Sequence, residues 1–151
     1  MALQLINLRR GSVDTCSWIP PFDSEAGYEN THWWNSARGT TGEPVFVQVL
    51  EAGVEVARVL LDDPGGIDPL YTDLPELGDE RLEIQLIEVA VVTRGRRIGT
   101  RVVDALAESY PERRLFAYSV NADNFWESLA GWERFNHPNG RSSPLFIRSI
   151  Q

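Results

Sequence analysis

The 151-residue chain is 42% hydrophobic and 24% charged, with five Trp, six Phe and four Tyr, a profile that predicts one folded domain over residues 1–151 and excludes a disordered or fibrous chain. Its net charge of −8 is uneven: residues 1–80 hold 14 acids against 4 arginines and residues 81–151 hold 8 against 10, so nucleic acid is excluded as a partner and a small anion is expected in the second half. No apolar run nears the roughly 20 residues of a membrane-spanning helix, and a lone cysteine, Cys16, with no secretory pattern at the N-terminus points to a cytoplasmic protein without disulfides.

In chain order, Leu3 and Leu5 alternate with Gln4 and begin a strand over about Leu3–Arg9. The stretch that follows is rich in Gly, Ser, Pro and Asn, with one short helix expected around Ser24–Ala37. Val45, Val47 and Val49 then alternate with Phe46 and Gln48, Ala52-Gly53 makes a turn, and Val54, Val56 and Arg58 resume the two-residue period of a hairpin. The acidic run from Asp62 to Glu80, punctuated by Pro and Gly, reads as a loop: a substrate-facing flap or a solvated connection. RLEIQLIEVAVV, residues 81–92, is a long β-branched strand that passes through TRGRR into a helix. Ile98, Val102, Val103, Leu106 and Ala107 share one face of that helix, and Tyr110-Pro111 ends it. A strand at Leu115–Val120, a short helix near Asp123–Leu129 and strands at Trp132–Phe135 and Pro144–Ile150 complete a mixed α/β (α+β) order.

The chemistry concentrates in Glu83–Thr100. A strand that runs through a Gly-containing turn into a helix gathers unpaired backbone N–H groups and the positive end of the helix dipole at one point, which is an anion site. Gly95 and Gly99 let the main chain approach a phosphate, and Arg94, Arg96, Arg97 and Arg101 add positive charge; solvated surface arginines are the other reading of the same pattern. His32 and His137, the only histidines, offer neither metal spacing nor a triad, so no metal is expected and each reads as a surface or turn residue. The absence of lysine excludes a Walker-type nucleotide site.

The run LEIQLIEVAVVTRGRRIGT resembles the cofactor-binding segment of the GNAT acetyltransferases, in which a strand carries Glu, an aliphatic residue four later and Val two after that, followed by Arg-Gly-x-Gly-Ile-Gly. Glu83, Ile87, Val89 and Arg94-Gly95-Arg96-Arg97-Ile98-Gly99 reproduce the spacing, with Val91 where many members have Pro and Arg97 in place of the middle glycine. Downstream, NADNFWESLAGWERF resembles the family's second motif, with Asn124, Phe125, Trp126, Gly131 and Trp132 as counterparts. The likeness covers about residues 44–151. It implies a mixed, mostly antiparallel sheet of six to seven strands, flanked by helices and split between the fourth and fifth strands.

The same resemblance implies acetyl-CoA, or a related acyl-CoA, as cosubstrate. Its pantetheine arm would pair with the backbone of Ile87, Glu88 and Val89, and an N–H near Val89 would polarise the thioester carbonyl. The pyrophosphate would rest on N–H groups from Gly95 through Arg96, Arg97, Ile98 and Gly99 to Thr100, with Arg94 alongside and Asn124 bonded to the arm. Glu83 stands where several members hold the general base, a salt-bridging strand-edge Glu being the other reading. The usual acid, a Tyr, falls on Trp126 or Glu127, which leaves Tyr118, Ser128 or solvent for that role. The acceptor is expected to be a primary amine of a small cationic molecule or peptide, met by Asp62, Asp63, Asp68 and Asp73 and by an aromatic wall of Trp18, Tyr28, Trp33 and Trp34, although such a cluster of rings is more often core. The alternative is a GNAT-fold module that binds acyl-CoA or a protein without catalysis. A homodimer is compatible with the family.

Overall fold

A computed structural model of the protein describes residues 2–8, 20–35 and 40–149. The Val-rich alternation builds the middle of the sheet, where β2 (Glu43–Glu51) and β3 (Val54–Asp63) pair antiparallel about Ala52-Gly53. Both turn residues are left-handed, at φ 52° and 80°, which matches the twist of a two-residue hairpin. β1 (Leu3–Leu8) lies outside β2, and β4 (Arg81–Val89) lies on the far side of β3, both antiparallel to their neighbours. β5 (Arg114–Tyr118) joins β4 in parallel; β6 (Trp132–Phe135) and β7 (Leu145–Arg148) follow in the spatial order β1-β2-β3-β4-β5-β7-β6.

The split falls between the fourth and fifth strands. β4 and β5 share only the register pairs Arg81↔Arg114, Leu82↔Leu115 and Glu83↔Phe116. Just beyond, Leu60 faces Leu86 while Leu61 faces Ile84, so Gln85 is an extra residue in β4. Such a bulge bends a strand and raises its twist, and it carries the second half of β4 away from β5.

One face of the sheet is covered by helices. α1 (Ile98–Ser109) buries Ile98, Val102, Val103 and Leu106 against valines of β2 and β3, Ile84 and Leu115, as its periodicity predicts. Full burial of such a side chain is worth about 1.5–3 kcal/mol. α2 (Asp123–Glu127) contributes Trp126, which stacks on Phe146 with ring centroids 6.3 Å apart. The other face is covered by two irregular segments: residues 20–35 set Trp34 on Phe46 and Leu60, and the 64–80 loop sets Tyr71 on Phe116, Leu145 and Ile147.

Several elements differ from their sequence expectations. In place of a helix at Ser24–Ala37 there is one 3-10 turn, Thr31–Asn35, with Ala37 outside the described residues. The backbone groups a helix would use are engaged elsewhere: Glu29 and Asn30 donate their N–H groups to the Glu88 carboxylate, and Gly27 C=O accepts from Val91 N–H at 2.9 Å. The strand expected to reach Val92 stops at Val89, and Val91–Thr93 coils into a 3-10 turn in which the Thr93 hydroxyl donates to Ala90 C=O at 2.9 Å. β5 ends at Tyr118 instead of Val120, ahead of Asn121 at φ 54°, and the last strand is Leu145–Arg148. Arg9 and Ile150, the expected ends of two strands, lie outside the described residues.

Of the acidic run, Asp62 and Asp63 end β3, and residues 64–80 form a docked loop, not a solvated connection. Tyr71 is buried and donates its hydroxyl to Ser143 C=O at 2.5 Å, Thr72 N–H donates to Asn136 C=O, and Ile67, Leu74 and Leu77 pack beneath. Among the described residues no helix is long and apolar enough to cross a membrane.

Candidate active site

Past the bulge, β4 has one edge on β3 and the other on the split. Ala90 N–H donates to Val56 C=O at 2.9 Å, so by the alternation of an antiparallel ladder Glu88 and Leu86 also turn their backbone groups to β3, while those of Ile87 and Val89 face the opening. The opening is a cleft of about 540 Å³. Ile87, Glu88 and Val89 form one wall, and Arg94, Gly95 and the residues from Arg97 to Thr100 form one end. Ala122 and Phe125 reach it from the helical face of the sheet, Asn30 and Trp33 from the other face. The slot therefore passes through the sheet.

The turn at its end is built for close approach. Gly95 has φ 84°, and Arg97, the residue before α1, is left-handed at φ 58° and ψ 28°. That conformation is the one a glycine adopts freely, and an arginine holds it at a cost of about 1 kcal/mol. A Cβ on Gly99 would lie 3.0 Å from Phe125 Cε1, a tight contact that the Phe125 ring would have to shift to relieve.

The four arginines divide. Arg96 and Arg101 both reach Glu51 at the hairpin end, at 2.6 and 2.8 Å, and their hydrogen bonds, that of Arg101 foremost, hold its carboxyl below the usual range. Arg94 pairs with Glu29 and comes within 3.9 Å of Glu88. Arg97 is exposed along the cleft and has no carboxylate partner among the described residues.

Glu88 carries a role that its place in the strand motif does not reveal. Its side chain is buried on the face away from α1, where it accepts the N–H groups of Glu29 and Asn30, the Asn30 amide at 3.2 Å and the Trp34 indole N–H at 3.0 Å. A second buried carboxylate, Glu55, accepts Asp23 N–H, the Tyr28 hydroxyl and the Gln48 amide, and pairs with Arg58 at 2.9 Å. The Arg58 guanidinium is sandwiched between the rings of Phe22 and Tyr28, 4.5 and 4.1 Å from their centroids. Burial, reinforced by Glu55, pushes the Tyr28 hydroxyl pKa upward. Tyr28 and Trp34 are thus core, Trp33 is half-buried at the cleft, and Trp18 lies outside the described residues.

Glu83 sits at the end of the β4–β5 pairing, on the face away from α1 and only 7% exposed. No group among the described residues hydrogen-bonds its carboxylate. Burial, and secondly the charge of Asp62 opposite it in β3, raise its pKa to about 7. Asp62 itself is engaged, accepting from Thr41 N–H and hydroxyl and from Gly42 N–H. Gly65 closes over Glu83: a Cβ there would meet Glu83 Cβ at 2.6 Å. Tyr118 lies on the same face, but its hydroxyl donates to Gly66 C=O at 3.2 Å and accepts Asp68 N–H at 3.0 Å. Burial is the main cause that raises its pKa.

Neither Glu83 nor Tyr118 lines the cleft, and Arg96 and Asn124 are also outside it. Asn124 borders an adjoining polar depression with Arg134 and Arg141, while Asn121 and Ala122 line the cleft in its stead. Ser128 donates to Phe125 C=O and Trp126 is core. Ser119 links the start of α2, donating to Asp123 and accepting Ala122 N–H. His32 is exposed; His137 accepts Asn139 N–H in the β6–β7 turn and turns its other nitrogen to Asp68 at 3.4 Å. No group of three or more potential metal ligands occurs among the described residues.

This arrangement has counterparts among solved structures. A protein described as histone acetyltransferase HPA2 and related acetyltransferase, from Corynebacterium glutamicum ATCC 13032, superposes with a TM-score of 0.56 at 10% identity over 100% of this chain and 98% of its own. An acetyltransferase from Thermus thermophilus gives 0.52 at 16% identity, the match covering 72% of this chain and 65% of the Thermus chain, slightly under two thirds of its length. A bacterial toxin gives 0.56 at 10% identity over 99% and 91%. No protein-family profile and no curated protein matches the sequence. The likeness at these identities is one of architecture: the chain has the fold of the GNAT acetyltransferases.

Proposed function

We propose that the protein is an N-acyltransferase that moves the acyl group of a coenzyme A thioester, acetyl in the simplest case, to a primary amine. The observation that carries this reading is the slot itself: a strand edge whose Ile87 and Val89 backbone groups face away from β3, without a partner among the described residues, leads to a Gly95–Thr100 turn at the start of α1. An extended amide-bearing chain fits the first part and a diphosphate the second. Arg97 adds a cation beside the phosphates, which compensates for the side chain it introduces in place of glycine.

The amine must be neutral to attack. Glu83, poised near pH 7, takes its proton; Ile87 is the fourth residue beyond it, up to about 13 Å along the bulged strand, so the proton travels through water. The departing thiolate is a stable leaving group and draws its proton from solvent, because the Tyr118 hydroxyl already donates to Gly66. A small cationic amine or peptide N-terminus is the acceptor that Glu83 and Asp62 favour by charge.

The test is calorimetric titration with coenzyme A and acetyl-CoA, followed by a thiol-release assay over polyamines, aminoglycosides and peptides. Binding of both nucleotides and thiol release with at least one amine is the expected result. Absence of binding sinks the reading. Tight binding with no release on any amine leaves the binding module, which the occupied Tyr118 hydroxyl favours.

A further inference from the structure

Glu51 ends β2 on the face that packs against α1, where alternation places it after the core residues Val45, Val47 and Val49. An acid thus continues an apolar row, and it is only 8% exposed. Two arginines take up its carboxylate, Arg96 at 2.6 Å on one oxygen and Arg101 at 2.8 Å on the other. These arginines bracket the segment Arg97–Thr100. Arg101 N–H is the first of α1 to close a helical bond, onto Arg97 C=O at 3.1 Å, while the N–H groups of Arg97, Ile98, Gly99 and Thr100 have no partner among the described residues. The free donors of the turn therefore lie between two guanidinium groups tied to one carboxylate. Arg97, left-handed at φ 58°, stands inside that bracket, and such a conformation persists only where its flanks are fixed.

We infer that Glu51 is the positioning residue of the phosphate turn: by fastening Arg96 and Arg101 it fixes the four N–H groups between them in the array that a diphosphate meets. Glu51 has this role only if the turn receives a diphosphate, as the acyltransferase reading holds. Glu51, Arg96 and Arg101 all lie outside the lining of the cleft, so the effect runs through the backbone of the turn. Charge and positioning then have opposite signs. A carboxylate beside the turn repels a diphosphate, so its removal strengthens binding if charge decides and weakens binding if the array of donors decides.

The experiment compares acetyl-CoA with S-acetylpantetheine, which carries the thioester and the arm without phosphate, by calorimetric and NMR titration of the wild type, Glu51→Gln, Glu51→Asp and Arg96→Gln. Glu51→Gln should bind acetyl-CoA about tenfold more weakly, roughly the net worth of one or two hydrogen bonds, and bind acetylpantetheine as the wild type does. Glu51→Asp, with its charge intact and its reach one methylene shorter, should lose affinity for acetyl-CoA in the same direction. Arg96→Gln should weaken acetyl-CoA binding when made alone and add nothing in the Glu51→Gln background. Unchanged or tighter binding of acetyl-CoA by Glu51→Gln overturns the inference, as does wild-type affinity in Glu51→Asp. An equal loss for acetylpantetheine overturns it as well, since Glu51 then supports the fold alone. A full further loss from Arg96→Gln in the Glu51→Gln background does the same, because Arg96 then meets the phosphates itself. A wild type that binds no acetyl-CoA fails the acyltransferase reading itself, a distinct result.

Discussion

Glu83 is the residue whose chemistry is most sharply testable. As a base it acts ionised, so kcat/KM should rise with pH through about 7; Glu83→Gln should lower the rate at pH 8 by about a hundredfold and abolish that limb. A limb that survives in the variant places the base elsewhere. The stability effect has the opposite sense from an ordinary salt-bridged acid. The folded pKa lies above the usual 4.5, so between pH 4.5 and 7 the native state keeps a proton that the unfolded chain has released, and stability falls as pH climbs through that window. Above it, Glu83→Gln should unfold less readily than wild type by up to about 3 kcal/mol in denaturant titrations. Removing the Glu88 carboxylate should destabilise the fold instead: Glu88→Ala strands the N–H groups of Glu29 and Asn30, the Asn30 amide and the Trp34 indole, and should cost about 3–5 kcal/mol. It is the resemblance of its strand to the acetyltransferase motif, not spacing by itself, that points to Glu83. The side-chain role of Glu88 was not legible, although an acid inside the apolar run LIEVAVV is the signal that points to it.

Elements governed by neighbours in sequence are the ones the sequence predicts well. The Ala52-Gly53 hairpin follows from alternation and a left-handed dipeptide, and α1 follows from a 3.6-residue stripe that ends at Tyr110. The 20–35 and 64–80 segments escape such reading because their conformation is set from afar: Glu55 and Glu88 hold the first, and Ser143 and Asn136 hold the second. Charge and glycine content say only that these are not regular elements. The 64–80 segment is tied to the site through Gly65, at φ 83° with Glu83 and Phe116 within 3.0 Å of any added Cβ. Gly65→Ala should therefore lower stability by about 2 kcal/mol or more and shift the pH midpoint assigned to Glu83, measured by denaturant titration and by the rate profile. A neutral effect on both would mean that this loop does not govern the carboxylate.

At the scale of the molecule, the cleft exists because β4 belongs to two partners in succession: it pairs with β5 up to Glu83 and leaves that partner at the Gln85 bulge. Amide exchange should register this. The Ile87 and Val89 N–H groups, on the open edge and without a partner among the described residues, should exchange fast in the free protein and slow by about tenfold or more, on the order of one hydrogen bond's net worth, when acetyl-CoA is added. Amides of β2 and β3 should hardly change. Three residue pairs are also a narrow isthmus between a body of four strands and a body of three. α1 bridges the two from the helical face, packing both on the valines of β2 and β3 and on Leu115 of β5 within one continuous core. Among the described residues the open side of the isthmus has no such bridge, and a chain laid into the slot would be the second strut between β4 and β5.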